Sequence, residues 1–269
     1  MAITVTQINL FPVKSLRGIS VDASSLTTRG LRYDRRFMLV DAQDKFQTQR
    51  ELPLMATIGT EIDGDVLTFI SAFGDRCSVP VQPPPLPTRN VGVWSSSAEA
   101  HTVCAIADDF FSTQLGTDIR LIYMPDSAER KCSAEFAKNN EIVSFADGYP
   151  VLVASESSLA DLNARIVANG GAAVPMSRFR ANLVVTGADA FAEDGWIEFN
   201  IGEARLRTAK PCPRCQVTTT DQASGEIRGP EPLLTLATYR DSPGGLRFGS
   251  NVMPVALGKI RVGDTLSLN

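Results

Sequence analysis

Residues 210–221 read KPCPRCQVTTTD. Two cysteines, Cys212 and Cys215, enclose a proline and an arginine. A C-x-x-C of this kind can be a zinc half-site, a redox pair, a disulfide or a pocket for another soft metal. The residues after it are rich in β-branched side chains, which favour a strand. A strand there weighs against a thioredoxin-type pair, whose cysteine opens a helix. Pro211 and Pro213 each fix φ and stiffen the loop. Lys210 and Arg214 place positive charge beside the thiols, which favours the thiolate. A stiff, electropositive loop presenting a thiolate suits a soft transition metal.

Working outward, the segments leading into this loop also read as strands: ANLVVTGA (181–188), WIEFNI (196–201) and EARLRTA (203–209). The N-terminal ITVTQINLFPV (3–13) alternates in the same way. RFMLVDAQDKFQTQR (36–50) predicts a hairpin turning at Asp41–Lys45, and IGTEIDGDVLTFIS (58–71) predicts another, with Asp63-Gly64 as its type I′ turn signal. GKIRVGDTLSLN (258–269) predicts a last strand pair turning at Gly263-Asp264. VQPPPLPTRN (81–90) is too proline-rich for regular structure. Two helices are expected. HTVCAIADDFFSTQLG (101–116) has a near-3.6 apolar period and Gly116 as its stop. SESSLADLNARIVANGG (155–171) has serine caps and Leu159, Leu162, Ile166 and Val167 on one face. The fold class is therefore α+β and strand-dominated, with barrel-like sheets.

Composition narrows the chemistry. The chain has 269 residues, 43% of them hydrophobic and 21% charged, enough for a sizeable core. A net charge of -4 gives no bulk attraction to nucleic acid or an acidic membrane. There is no apolar run long enough to span a bilayer, and MAITVTQINLFPVKS (1–15) lacks the layout of a signal peptide. Five cysteines, three of them scattered, do not form a disulfide framework. A cytoplasmic, reduced protein is expected. The single histidine, His101, rules out a two-histidine metal site. A structural zinc would need Cys77, Cys104, Cys132 and His101 to converge from distant places.

Three other stretches carry basic residues at strand entrances: FPVKSLRG (11–18) with Lys14 and Ser15, RYDRRFML (32–39) with Asp34, Arg35 and Arg36, and RFRANLVV (178–185) with Arg178, Arg180 and Asn182. Each alone is the solvated end of a strand. Together with the cationic cysteine loop they point to a pocket for an anion such as a phosphate. Successive strand residues face opposite ways, so one of Arg35 and Arg36 points inward and needs a partner.

Read together, the motifs FPVKSLRG, YDRRFMLV (33–40), SFADGYPVLVASESSLADLN (144–163), FRANLVV (179–185), KPCPRCQVTTTD, EPLLTLATYR (231–240), FGSN (248–251) and IRVGDTLSL (260–268), in this order, resemble the MOSC superfamily. The resemblance is to its two-part form with an N-terminal β-domain, that of YcbX-type bacterial proteins and the mitochondrial amidoxime-reducing component. It implies an N-terminal β-barrel-like domain over 1–120 packed on a MOSC domain over 121–269. It also implies a molybdenum cofactor, molybdenum bound by a pterin dithiolene, with Cys215 as the protein's sulfur ligand to the metal and Cys212 as a supporting thiol. Lys14, Ser15, Arg35, Arg180 and Asn182 would hold the pterin and its phosphate. Backbone near Gly148-Tyr149 and the Pro213-Arg214 amides would complete the cradle, with Arg36 on the outside.

The activity implied is reduction of N-hydroxylated compounds (hydroxylamines, amidoximes, N-hydroxylated bases) to the amine and water, with protons from water or from Asp147. The remaining cysteines have no iron–sulfur spacing. Electrons are therefore expected from a separate ferredoxin- or flavin-type donor protein. No nucleic-acid or membrane partner is implied. The alternative is a molybdenum-cofactor carrier or sulfur-transfer module without turnover of its own.

Overall fold

A computed structural model describes residues 2–268. Its centre is an eight-stranded sheet. In spatial order the strands are Leu183–Thr186, Val151–Ser155, Arg247–Ala256, Ala204–Pro213, Glu198–Ile201, Thr265–Leu268, Ile3–Leu10 and Ile19–Val21. Leu183–Thr186 also pairs with Ile3–Leu10, which closes the sheet on itself into a barrel with Ile19–Val21 as a flange. Alternation explains the closure. In Glu198–Ile201, for example, Phe199 and Ile201 are fully buried while their neighbours are not. The barrel interior gathers Val5, Ile8, Phe199, Leu206 and Val252. The first strand of the chain is thus part of a sheet built mostly from the C-terminal half.

The other sheets come largely from the first half. Phe37–Val40, Arg120–Tyr123, Ser96–Thr102 and Thr88–Val93 form a four-stranded sheet, and Gly59–Asp63, Val66–Ile70 and Arg76–Pro80 form a meander. Their core holds Phe37, Phe69, Phe111 and Leu121. The helix Ala105–Leu115 covers this core and ends at Gly116 in the left-handed region, as its sequence predicts.

The helix Glu156–Ala168 is the crossover between the parallel strands Val151–Ser155 and Leu183–Thr186. Ser155 is its N-cap, accepting from the Ser158 N–H at 3.0 Å. Leu162 and Ile166 are buried under it, but Val167 is 56% exposed and lies off the apolar face.

Three local expectations are corrected. The hairpin after Ile58 pairs Asp63 with Val66, so its loop is Gly64-Asp65, and only Gly64 has positive φ. A type I′ turn needs two such residues. The chain does turn at Gly263-Asp264, but Gly258–Arg261 pairs with Ala23–Thr27 while Thr265–Leu268 joins the barrel. Lastly, the run after Cys215 is not a strand. Gln216–Thr219 is one 3-10 turn. The Thr218 and Thr219 hydroxyls donate back to the carbonyls of Cys215 (2.9 Å) and Gln216 (2.8 Å), and this local bonding overrides β-propensity.

Candidate active site

All eleven residues expected at the site line one recess: Lys14, Ser15, Arg35, Asp147, Gly148, Tyr149, Arg180, Asn182, Pro213, Arg214 and Cys215. It encloses about 810 Å³ of atom-free space, counting its open mouth. Five chain segments meet there, 14–15, 35, 147–149, 180–182 and 213–215, the last three at the ends of barrel strands. Three lining residues hold the left-handed backbone that non-glycine residues seldom adopt: Ser15 (φ 68), Arg35 (φ 48) and Arg180 (φ 55). Strain of this kind gathers at functional sites.

The floor is a charge network. Asp34, 2% exposed, accepts from the Phe11 N–H at 2.8 Å and from Arg35 Nη1 at 2.5 Å. Arg35 Nη1 also donates to Asn182 Oδ1 at 2.9 Å, and Asn182 Nδ2 donates to the Asn9 carbonyl. Asn182 is therefore occupied in holding Arg35. Arg35 and Arg180 each lie 4.3 Å from the Phe11 ring centroid. Arg180 donates to the Leu16 carbonyl at 2.7 Å. Burial, with the charge of Arg35, pulls its guanidinium down to about 9, so it stays protonated at neutral pH.

Lys14, 5% exposed, donates to the Phe145 carbonyl at 3.0 Å and to Asp147 Oδ1. Burial lowers its pKa against the pull of Asp147. The segment 144–147 is itself pinned by Arg130, which donates to the carbonyls of Ser144, Ala146 and Asp147 at 2.6–2.8 Å. Asp147 also accepts from Trp94 Nε1 at 3.0 Å. Surrounding protein works against its charge, but the Lys14 charge and hydrogen bond, the Trp94 bond and the Arg50 charge outweigh that. The carboxyl is held well below the usual carboxylate range. Its side chain is 65% exposed, so solvent screens part of this effect.

Asp147 is thus ionised at neutral pH and carries no proton to give. A depressed carboxylate adds stability above its unfolded pKa, near 4, and loses it as pH falls below that. Asp147→Asn is expected to melt below the wild type at pH 7. The gap should shrink as pH falls below about 4, which thermal melts across pH 3–7 would check.

The cysteine loop differs from its sequence reading. Arg214 donates to Cys212 Sγ at 2.9 Å and to the Phe179 carbonyl at 2.8 Å, so it attends the first cysteine. The cation beside Cys215 is Arg50, with Nη2 3.5 Å from Sγ. Lys210 lies over the rings of Phe136 and Tyr149 instead. The Pro213-Arg214 amides cannot serve as a cradle: proline has no N–H, and the Arg214 N–H is bonded to the Leu246 carbonyl at 2.7 Å. Arg36 is away from the site, as expected, but not outside. Its side chain is 13% exposed and bonds Tyr123, the Met124 carbonyl and Asp126.

Arg50 and Trp94 escaped the sequence reading. The available signal was the polar run Gln47-Thr48-Gln49-Arg50, where a return strand should alternate. Gln47, Thr48 and Gln49 are buried, and Gln49 donates to the Ser15 carbonyl at 2.7 Å.

The site has the makings of an anion pocket with one soft ligand. Among the described residues, no carboxylate is ion-paired with Arg50, Arg180 or Arg214. Arg214 Nε is buried with no hydrogen-bond partner. Gly148 opens onto space, since a Cβ there would meet no atom within 4 Å. Arg180 is buried and Arg50 and Arg214 are half-buried; cations so placed without a paired carboxylate are costly, and an anionic ligand offsets that. Among the described residues, no three His, Cys, Asp or Glu side chains converge as a metal cage. The donor set, the two thiols of one loop among cations, therefore fits a metal carried on an anionic organic ligand better than a bare ion.

Comparison with known proteins gives the family. Residues 2–118 match the MOSC N-terminal beta barrel domain, and residues 140–267 match the MOSC domain. Human mitochondrial amidoxime-reducing component 1 is 30% identical over 98% of this chain and 82% of its own length. The chain belongs to the MOSC family, in its two-part form. Bovine mitochondrial amidoxime reducing component 2 is 31% identical to this MOSC protein over 97% of the chain and 82% of its own length. The molybdenum cofactor sulfurase of Oryza sativa subsp. japonica is 30% identical over 92% of the chain, but that match covers only 32% of the sulfurase.

Proposed function

We propose that this MOSC protein is a molybdenum-cofactor-dependent reductase of N-hydroxylated compounds, fed with electrons by a separate donor protein. The observation that carries the reading is the meeting, in one recess, of the Cys215 thiol with guanidinium groups that have no carboxylate partner. The names of the amidoxime-reducing relatives point the same way. When bound, the cofactor would supply the two-electron reduction of an N–O bond. Cys215 would ligate the metal as a thiolate. Lys14, Ser15 and Arg180 would hold the phosphate, and Arg35, fixed by Asp34 and Asn182, would face the pterin. Gly148 would admit it closely. Asp147 would act by positioning Lys14, so the protons consumed would enter from water at the mouth.

The sulfurase relative keeps a second reading alive, a cofactor carrier or sulfur-transfer module. One experiment separates them. The protein is expressed with molybdate, assayed for molybdenum and pterin, and then offered an amidoxime with a chemical reductant. About one molybdenum per chain with turnover supports the reductase. Loading without turnover supports the carrier. Failure to load overturns both.

A further inference from the structure

Trp94 sits in the two-residue loop between Thr88–Val93 and Ser96–Thr102, where Val93 pairs with Ser96. Its φ of 57° is a conformation that suits glycine or asparagine and burdens a bulky side chain. The ring does not fill a core: it is 50% exposed. Trp196, at 6% exposed and 5.4 Å from Phe199, shows what a core tryptophan looks like in this protein. Two of the groups the Trp94 indole touches, Asp147 and Arg50, line the recess. Its N–H goes to Asp147, its edge meets Phe46 at 5.0 Å, and the Arg50 guanidinium stacks 4.5 Å from its ring centroid. Arg50 in turn reaches Cys215 Sγ. The contacts run from indole to guanidinium to thiol.

We infer that Arg50, backed by the Trp94 indole, is a flat wall of the recess that stacks the ring of an aromatic N-hydroxylated substrate and turns its N–OH group toward Cys215. The inference rests on the proposed reductase function and adds substrate preference to it. A guanidinium plane backed by an indole favours a π-face laid against its free side, and an alkyl substrate has none to offer. The Trp94–Asp147 bond holds the wall at a fixed place relative to Lys14.

The test compares wild type, Trp94→Leu and Trp94→Phe, each confirmed folded by thermal melting. The substrates are an aryl amidoxime and its small alkyl analogue. In the leucine variant kcat/KM for the aryl substrate should fall about tenfold, while the alkyl value stays within about threefold. Phenylalanine, which keeps a ring but loses the N–H, should restore most of the aryl preference. A second readout needs no turnover: without reductant, the aryl amidoxime should saturably quench the exposed tryptophan and the alkyl analogue should not. Equal losses for both substrates, or equal quenching by both, would overturn the wall. If loaded wild type reduces neither substrate, the reductase reading fails, and the fluorescence titration still decides whether the wall binds rings.

Discussion

Cys215→Ser is expected to lower molybdenum retention by more than about 100-fold, while Cys212→Ser stays within about tenfold of wild type. Even partners one shell removed from a metal cost about 10- to 100-fold when lost, so the ligand itself should cost more. The asymmetry comes from the loop's geometry. Both cysteines line the recess, but Cys215 has Arg50 beside its sulfur. Cys212 packs against the cluster of Leu162, Phe179 and Phe248 and receives Arg214. Its loss would disturb a neighbour of the site and leave the proposed ligand in place. Metal analysis of the purified variants checks this, and equal retention in both, or a loss confined to Cys212→Ser, would refute the assignment.

Asp34→Ala should be among the most damaging substitutions outside the apolar core. The carboxylate is the one negative charge bonded to Arg35, which together with Arg180 crowds two guanidinium groups around Phe11. Burial raises the Asp34 pKa and Arg35 pulls it back, so the pair is held against its own desolvation. Removing one partner of a buried pair costs about 3–5 kcal/mol. In a chain of this size that is a fall of roughly 10 °C in melting temperature. It would also leave the Phe11 N–H without its acceptor. Asp34→Asn should fall between the two, because it keeps an oxygen for Phe11 and loses the charge. An alanine variant melting within about 2 °C of wild type would show that the floor does not depend on this pair.

Much of the fold was legible because it rests on local rules. Alternation marked the barrel strands, and a serine cap and a terminal glycine bounded the two main helices. The errors arose where local preference met competing bonds. Thr218 and Thr219 look like strand residues, yet their hydroxyls close a turn, which alters the setting of Cys215 but still provides no long helix behind it. The last two strands turn as expected but part company, because Gly258–Arg261 pairs with Ala23–Thr27 while Thr265–Leu268 fits between two barrel strands.

The residues of the recess were legible one by one, since lysine, arginine and cysteine at strand ends announce their chemistry. Their partners were not. Arg214 was next to both cysteines in sequence and serves Cys212. Arg50, 165 residues away, reaches Cys215. The sequence by itself determined the strand-dominated architecture, because periodicity is a property of the chain, and its resemblance to a family named eleven of the residues that line the recess. Only the tertiary structure decided which cation faces which sulfur, that Asp147 is held ionised by Lys14, and that a half-exposed tryptophan bonds to Asp147. Those depend on distances of a few ångströms between segments that the closed barrel, and nothing local, brings together.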